Sequence, residues 1–267
     1  MSNRATFRRA LVTGASSGIG EAMAHELAER GTHLVLVARS REALETLAAE
    51  LRGHPGVEVE VLVADLTGPE GLVEVEDRLR RTDAPVDLLI NNAGVGQVGT
   101  FVDLDVDRAE QQVRLNMLAP VRLAHAVLGR MRSNGGGGLL NVSSIAASQP
   151  IPSMATYAAS KAFLTSWSSA LHEELRGTGV HVTALAPGFT RTGFVDSAQA
   201  QGEASLIPGF IWADAAAVAR IGLDGVAHNR AVVVPGPLYR AGVAVADLTP
   251  SAVTRRVVGF TMRQVRR

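Results

Sequence analysis

Ala10-Leu11-Val12-Thr13 runs without a break into Gly14-Ala15-Ser16-Ser17-Gly18-Ile19-Gly20, and the reading of this junction decides the fold. A short apolar β-prone run, three spaced glycines and then a helical apolar period describe a strand turning tightly into a helix. Glycines at such a turn let the backbone approach a bound group closely, and the unpaired N–H groups of the helix start attract negative charge. The spacing is G-x3-G-x-G rather than the commoner G-x-G-x-x-G. Taken alone, the motif also suits a purely structural turn. At the first junction of a repeating strand–helix pattern it points to a pyrophosphate cradle.

The pattern does repeat. Strand-like runs at Ala10–Thr13, His33–Val37, Val57–Ala64, Asp87–Ile90, Leu139–Ser143, His181–Ala186 and Ala231–Val234 alternate with helical periodicity. The helical stretches cover Ile19–Arg30, Arg41–Arg52, Pro69–Arg81, Val106–Arg132, Thr156–Arg176 and Asp214–Asn229. This alternation predicts one α/β domain over residues 1–267, a doubly wound, seven-stranded and mostly parallel sheet with helices on both faces. Gly135–Gly138 reads as a turn before the fifth strand, too short for a domain linker. Residues 190–212 read as an irregular insertion of the length that often forms an active-site lid. Residues 240–267 read as a variable tail, and its basic stretch Arg255–Arg267 most simply reads as a surface helix packed on a neighbour.

Composition narrows the function. With 26 basic and 26 acidic residues the formal net charge is zero, which disfavours nucleic acid and acidic membranes as partners. The absence of cysteine excludes disulfides, thiolate metal sites and thiol catalysis, so any redox chemistry must come from a cofactor. The seven histidines show no ligand spacing and no acidic cluster stands in for them, so no metal is expected. A chain start without a signal-peptide pattern and no long apolar run predict a soluble, cytoplasmic protein. Of the 26 basic residues only Lys161 is lysine, and Tyr157 and Tyr239 are the only tyrosines. A lone ammonium among arginines suggests a task that a planar, always-charged guanidinium cannot perform.

The glycine loop resembles the cofactor fingerprint of the short-chain dehydrogenase/reductase (SDR) family, a Rossmann-type family, and later motifs extend the resemblance over residues 8–236. It implies that Gly14, Ser16, Ser17, Gly18, Ile19 and Gly20 hold the cofactor phosphates. Asn91-Asn92-Ala93-Gly94 is similar to the segment lining the adenosine side of the family's pocket, which implicates Asn92, Ala93 and Gly94. Asp65, with Leu66 beside it, stands where the family contacts the adenine amine. At the end of the second strand, where an NAD enzyme places a carboxylate, the chain has Ala38-Arg39-Ser40. Arg39, with Ser40, is suited to the 2'-phosphate of NADP(H), with NAD(H) the alternative cofactor. Ser17 departs from the pattern of many NADP-using relatives, which carry a second basic residue there.

Tyr157 and Lys161 lie four residues apart, hence on one face of a helix. An unperturbed phenol titrates near pH 10, and a nearby cation brings it towards useful range. The pair resembles the family's catalytic Tyr-x3-Lys, and the resemblance implies that Lys161 also holds the nicotinamide ribose. Ser144, 13 residues before Tyr157, matches the family's carbonyl-binding serine, with Ser143 as the competing assignment. Asn116 matches the helix asparagine that binds a water beyond the lysine. Pro187 and Gly188 match the segment that orients the nicotinamide, with Thr190 and Thr192 as further cofactor contacts.

The expectation is an NADP(H)-dependent oxidoreductase, a carbonyl reductase in type, that interconverts a ketone or aldehyde and an alcohol with Tyr157 as general acid/base. Ser144 and Tyr157 would meet a small hydrophobic substrate, shaped by Gln97, Ile151, Met154, Phe189, Phe194, Phe210 and Trp212. The alternative is an NAD(P)-binding regulator or an epimerase/dehydratase-type protein on the same fold. Family resemblance also implies a homodimer or homotetramer.

Overall fold

The computed structural model describes residues 6–190, 209 and 212–249. Seven strands form one sheet in the order β3-β2-β1-β4-β5-β6-β7. They are β1 (Arg9–Thr13), β2 (His33–Ala38), β3 (Val59–Val63), β4 (Leu88–Asn91), β5 (Gly137–Val142), β6 (Val180–Leu185) and β7 (Val232–Val233). Every pairing is parallel.

Helices cover both faces, which is why the central strands read as continuous apolar runs: each residue of Leu34–Val37 is fully buried. Ala10, Val12, Leu34 and Leu36 face one core layer with α1 (Gly18–Glu29), α2 (Arg41–Leu51) and α7 (Ala215–Ala227). Leu11, Val35 and Val37 face the other, with α3 (Pro69–Arg80), α5 (Ala119–Ser133) and α6 (Ala155–Glu174). The chain winds outward in both directions from β1, which lies between β2 and β4. In such a sheet ligands bind at the carboxyl ends of the strands beside this switch point. None of the described helices is long and apolar enough to cross a membrane.

Two elements differ from the sequence reading. The single long helix expected over Val106–Arg132 is α4 (Val106–Val113), a π-turn (Arg114–Leu118) and α5. Pro120, in the first turn of α5, has no N–H to return to the Asn116 carbonyl, so the α-helical ladder cannot run through this point. The second difference is α8 (Pro237–Leu248), a helix in the segment taken for the start of a variable tail. Most of the expected lid and the tail beyond Thr249 lie outside the described residues.

Candidate active site

The glycine loop is built as its sequence demands. Gly14 and Gly18 have φ of +63° and +62°, a region that side chains with a Cβ rarely adopt. Gly20 is glycine for space: a Cβ there would lie 2.3 Å from the Gly14 carbonyl oxygen. Ser17 stands at the N-cap of α1, yet its side chain makes no capping bond. Ser40 caps α2 by accepting from Ala43 N–H at 3.3 Å. The first-turn N–H groups of α1 are thus left without a side-chain acceptor, the arrangement in which a helix start takes a phosphate.

Thr13 and Asn92 stitch this loop to β4. The Thr13 hydroxyl oxygen accepts from the backbone N–H of Asn92 and of Ala93, both at 3.0 Å. The Asn92 amide donates to the carbonyls of Thr13 and Gly14 at 2.9 and 3.0 Å. Asn92 thus shapes the cradle through the backbone. Asp65 is exposed, with one carboxylate oxygen accepting from the N–H and hydroxyl of Thr67, whereas the Leu66 side chain is buried in the core. Arg39 is exposed at the end of β2 and forms no hydrogen bond or ion pair with the described residues. Beside it a cavity of about 340 Å³ is lined by the hydroxyl residues Ser16, Ser40 and Thr46 and by the carboxylate residues Glu21, Glu42 and Glu50.

Ser144, Tyr157, Lys161 and Asn116 converge at the carboxyl ends of β4 and β5. The Ser144 hydroxyl lies beside the Tyr157 phenol and accepts from Ala146 N–H at 3.1 Å. Ser143 points elsewhere, donating to the Lys161 carbonyl at 2.8 Å and contacting Thr165 at 2.7 Å, so the geometry separates the two serines. Burial pushes the Tyr157 phenol up, and Ser144 opposes this. The Lys161 ammonium donates to the Val142 carbonyl at 2.8 Å and lies 5.8 Å from the centroid of the Tyr157 ring. Burial lowers it from 10.5 to about 8. Its one carbonyl partner leaves donor capacity for hydroxyl oxygens, as a ribose presents.

Asn116 sits in the π-turn, fully buried. Its amide accepts from Val95 N–H at 3.0 Å and donates to the Val95 carbonyl at 2.9 Å and to Ser160 Oγ at 3.1 Å. A Cβ on Gly94 would lie 3.3 Å from Asn116 Oδ1 and 3.4 Å from Lys161 Nζ, so Gly94 keeps this corner open. Pro187 and Gly188 follow β6, and Ile145 N–H donates to the Pro187 carbonyl at 3.0 Å, tying this segment to the turn after Ser144. Thr190 is buried, with its hydroxyl on the Gly188 carbonyl at 3.0 Å, and Thr192 lies outside the described residues. The substrate-side aromatics Phe189 and Trp212 stack at a tilt, 5.9 Å between centroids, whereas Phe194 and Phe210 lie outside the described residues. Two contributors escaped the sequence reading, Thr13 and Tyr239, whose phenol oxygen accepts from Phe189 N–H at 3.0 Å.

An uncapped glycine-rich helix start, an Arg at the end of β2 unpaired among the described residues and a buried ammonium beside a phenol are features that a dinucleotide cofactor fits, on a doubly wound sheet. The chain belongs to the short chain dehydrogenase family, whose model matches residues 8–203. It is 35% identical over 189 residues to the very-long-chain 3-oxoacyl-CoA reductase of Anas platyrhynchos, covering 68% of this chain and 60% of that protein. A short-chain dehydrogenase from Sphingobium yanoikuyae, solved in complex with NADPH, superimposes with a TM-score of 0.83 at 38% identity over 90% of this chain and 92% of that one. The bulky-bulky ketone specific alcohol dehydrogenase of Comamonas testosteroni superimposes at 0.76 with 35% identity, covering 92% of this chain and 96% of that one.

Proposed function

We propose that the protein is an NADP(H)-dependent oxidoreductase that interconverts a bulky, hydrophobic ketone or aldehyde and its alcohol. The observation that carries this reading is the meeting of Ser144, Tyr157, Lys161 and Asn116 at one strand edge beside the glycine loop. When bound, the nicotinamide supplies or accepts the hydride. The chain's part is to hold the carbonyl oxygen between the hydroxyls of Ser144 and Tyr157, which lie close enough for Ser144 to lower the phenol pKa. Tyr157 gives its proton to that oxygen in reduction and takes it back in oxidation. Lys161, next to the phenol ring, offsets the phenolate charge, and Asn116, in the π-turn just before Pro120, is placed to hold the water that returns the proton.

NADP(H) is preferred over NAD(H) in this reading because Arg39 is unpaired and no carboxylate stands at the end of β2. The apolar Phe189–Trp212 pair near the Pro187–Gly188 segment supports a hydrophobic substrate, as does the resemblance to an alcohol dehydrogenase named for bulky ketones. A cytoplasmic homo-oligomer accompanies the proposal. The test is NADPH oxidation, followed by absorbance, against diaryl and alkyl–aryl ketones, aldehydes, steroids and 3-oxoacyl thioesters. Turnover of bulky ketones that is lost in Tyr157→Phe is the expected result. NADPH binding without turnover of any class would favour a regulatory role instead.

A further inference from the structure

One of the chain's two tyrosines, Tyr239, lies outside the residues matched by the family model. It stands in the first turn of α8, which the chain enters through Gly236 at φ +90°. Its ring lies directly against Gly188: a Cβ there would come within 2.0 Å of Cζ and 2.3 Å of both Cε atoms. Gly188 has no positive φ, so it is the tyrosine ring, not backbone conformation, that demands glycine here. The phenol oxygen accepts from Phe189 N–H at 3.0 Å; burial pushes the phenol pKa up and that hydrogen bond opposes it. α8 also packs on the Ile145–Ser148 turn that follows Ser144. Tyr239 therefore touches one wall of the site and its helix touches the other.

We propose that Tyr239 is a positioning residue for the nicotinamide end of the cofactor, its ring and hydroxyl holding Pro187–Phe189 in place relative to Ser144 and Tyr157. The proposal rests on the function proposed above. The phosphate cradle and Arg39 belong to other elements, so loosening this clamp should disturb hydride geometry while leaving overall cofactor affinity nearly intact. Misplacement of a reacting group by about 1 Å can cost on the order of a hundredfold in rate.

The experiment compares wild type, Tyr239→Phe, Tyr239→Ala, Gly188→Ala and the double variant by NADPH titration, emission of the bound nicotinamide, and steady-state kinetics with the best ketone found. For Tyr239→Ala the Kd of NADPH should stay within about threefold, while nicotinamide emission shifts towards that of free NADPH and kcat falls by about tenfold or more. Tyr239→Phe keeps the ring and should fall between. Gly188→Ala should be badly impaired in the wild-type background, and Tyr239→Ala should relieve it by making room for the methyl. Unchanged emission and kcat in Tyr239→Ala, or equal tolerance of Gly188→Ala in both backgrounds, would overturn the proposal. Wild-type protein that binds NADPH with altered emission yet reduces no carbonyl would sink the proposed function alone, since emission and rescue still read the clamp.

Discussion

Lys161 occupies a place that penalises its own charge. It is buried among the ends of β5 and α6 with a carbonyl for a partner and no carboxylate among the described residues, and its pKa falls from 10.5 to about 8. A cation with a depressed folded-state pKa is held less tightly than in the unfolded chain, so the penalty is full below about pH 8 and fades towards 10.5. Replacing it with methionine should therefore raise the unfolding free energy of the ligand-free protein at pH 7 by about 1–2 kcal/mol, after allowing for the orphaned Val142 carbonyl. Urea melts at pH 7 and pH 10 check this: the difference should shrink at the higher pH. The same titration bears on catalysis, because a neutral amine no longer stabilises phenolate. In the reductive direction kcat/KM for NADPH should decline as pH rises through about 8. Lys161→Arg stays protonated and should lose that limb, but the wider planar group should lower activity by at least about a hundredfold. Near-wild-type turnover in Lys161→Arg would make the lone lysine an accident of composition. At the adenosine end, Arg39→Asp removes the proposed 2'-phosphate partner and adds repulsion, so the ratio of kcat/KM for NADPH over NADH should drop by about two orders of magnitude or more.

At the scale of elements, the cofactor-side residues lie at strand ends or the turns after them, while Tyr157 and Lys161 lie on α6 and Asn116 in the π-turn, and local pattern made much of this legible. Strands buried on both faces read as apolar runs, and Tyr157 and Lys161 share a helix face by spacing alone. What escaped depends on contacts between distant segments. The π-turn is signalled by Pro120, but only folding shows that the break falls at Asn116. The helix α8 is rich in small residues and holds Gly242 in its interior, so its place is understood only through the docking of Tyr239 on Gly188. Ser143 and Ser144 differ by one position, and only their partners tell them apart. Thr13 is the other such case: a β-branched strand residue in sequence, in the fold it accepts two backbone N–H bonds and donates to the Ile90 carbonyl at 3.2 Å. Thr13→Val keeps the shape and strands both N–H groups. The expected loss is about 2–3 kcal/mol of stability together with weaker NADPH binding, since the glycine loop loses its tie to β4. Thermal melts and NADPH titration of one preparation measure both, and an unchanged Kd would show that the tie does not shape the cradle.

Across the whole molecule, the two core layers take up most of the large apolar side chains, and the exceptions are not scattered evenly. Phe101, Val102 and Val106 are 60%, 84% and 71% exposed, and Val113 follows one heptad after Val106 on α4. On α6, Phe163 and Trp167 stack 5.9 Å apart, and contacts between the helices bring α4 and α6 together. Isolated exposed apolar residues need no explanation, but a run of them beside α4 and α6 supports the proposed homo-oligomer. Light scattering at micromolar concentration should give an integer multiple, at least two, of the 28.0 kDa chain mass. Phe101→Glu with Val106→Glu should shift the population to the single-chain mass without unfolding it, because both side chains are exposed and the change buries no new charge in the monomer. The active site lies at the strand ends, so this monomer should keep its affinity for NADPH. A wild-type particle of single-chain mass at these concentrations would remove the oligomer from the proposal. An oligomer indifferent to both glutamates would move the interface to another face.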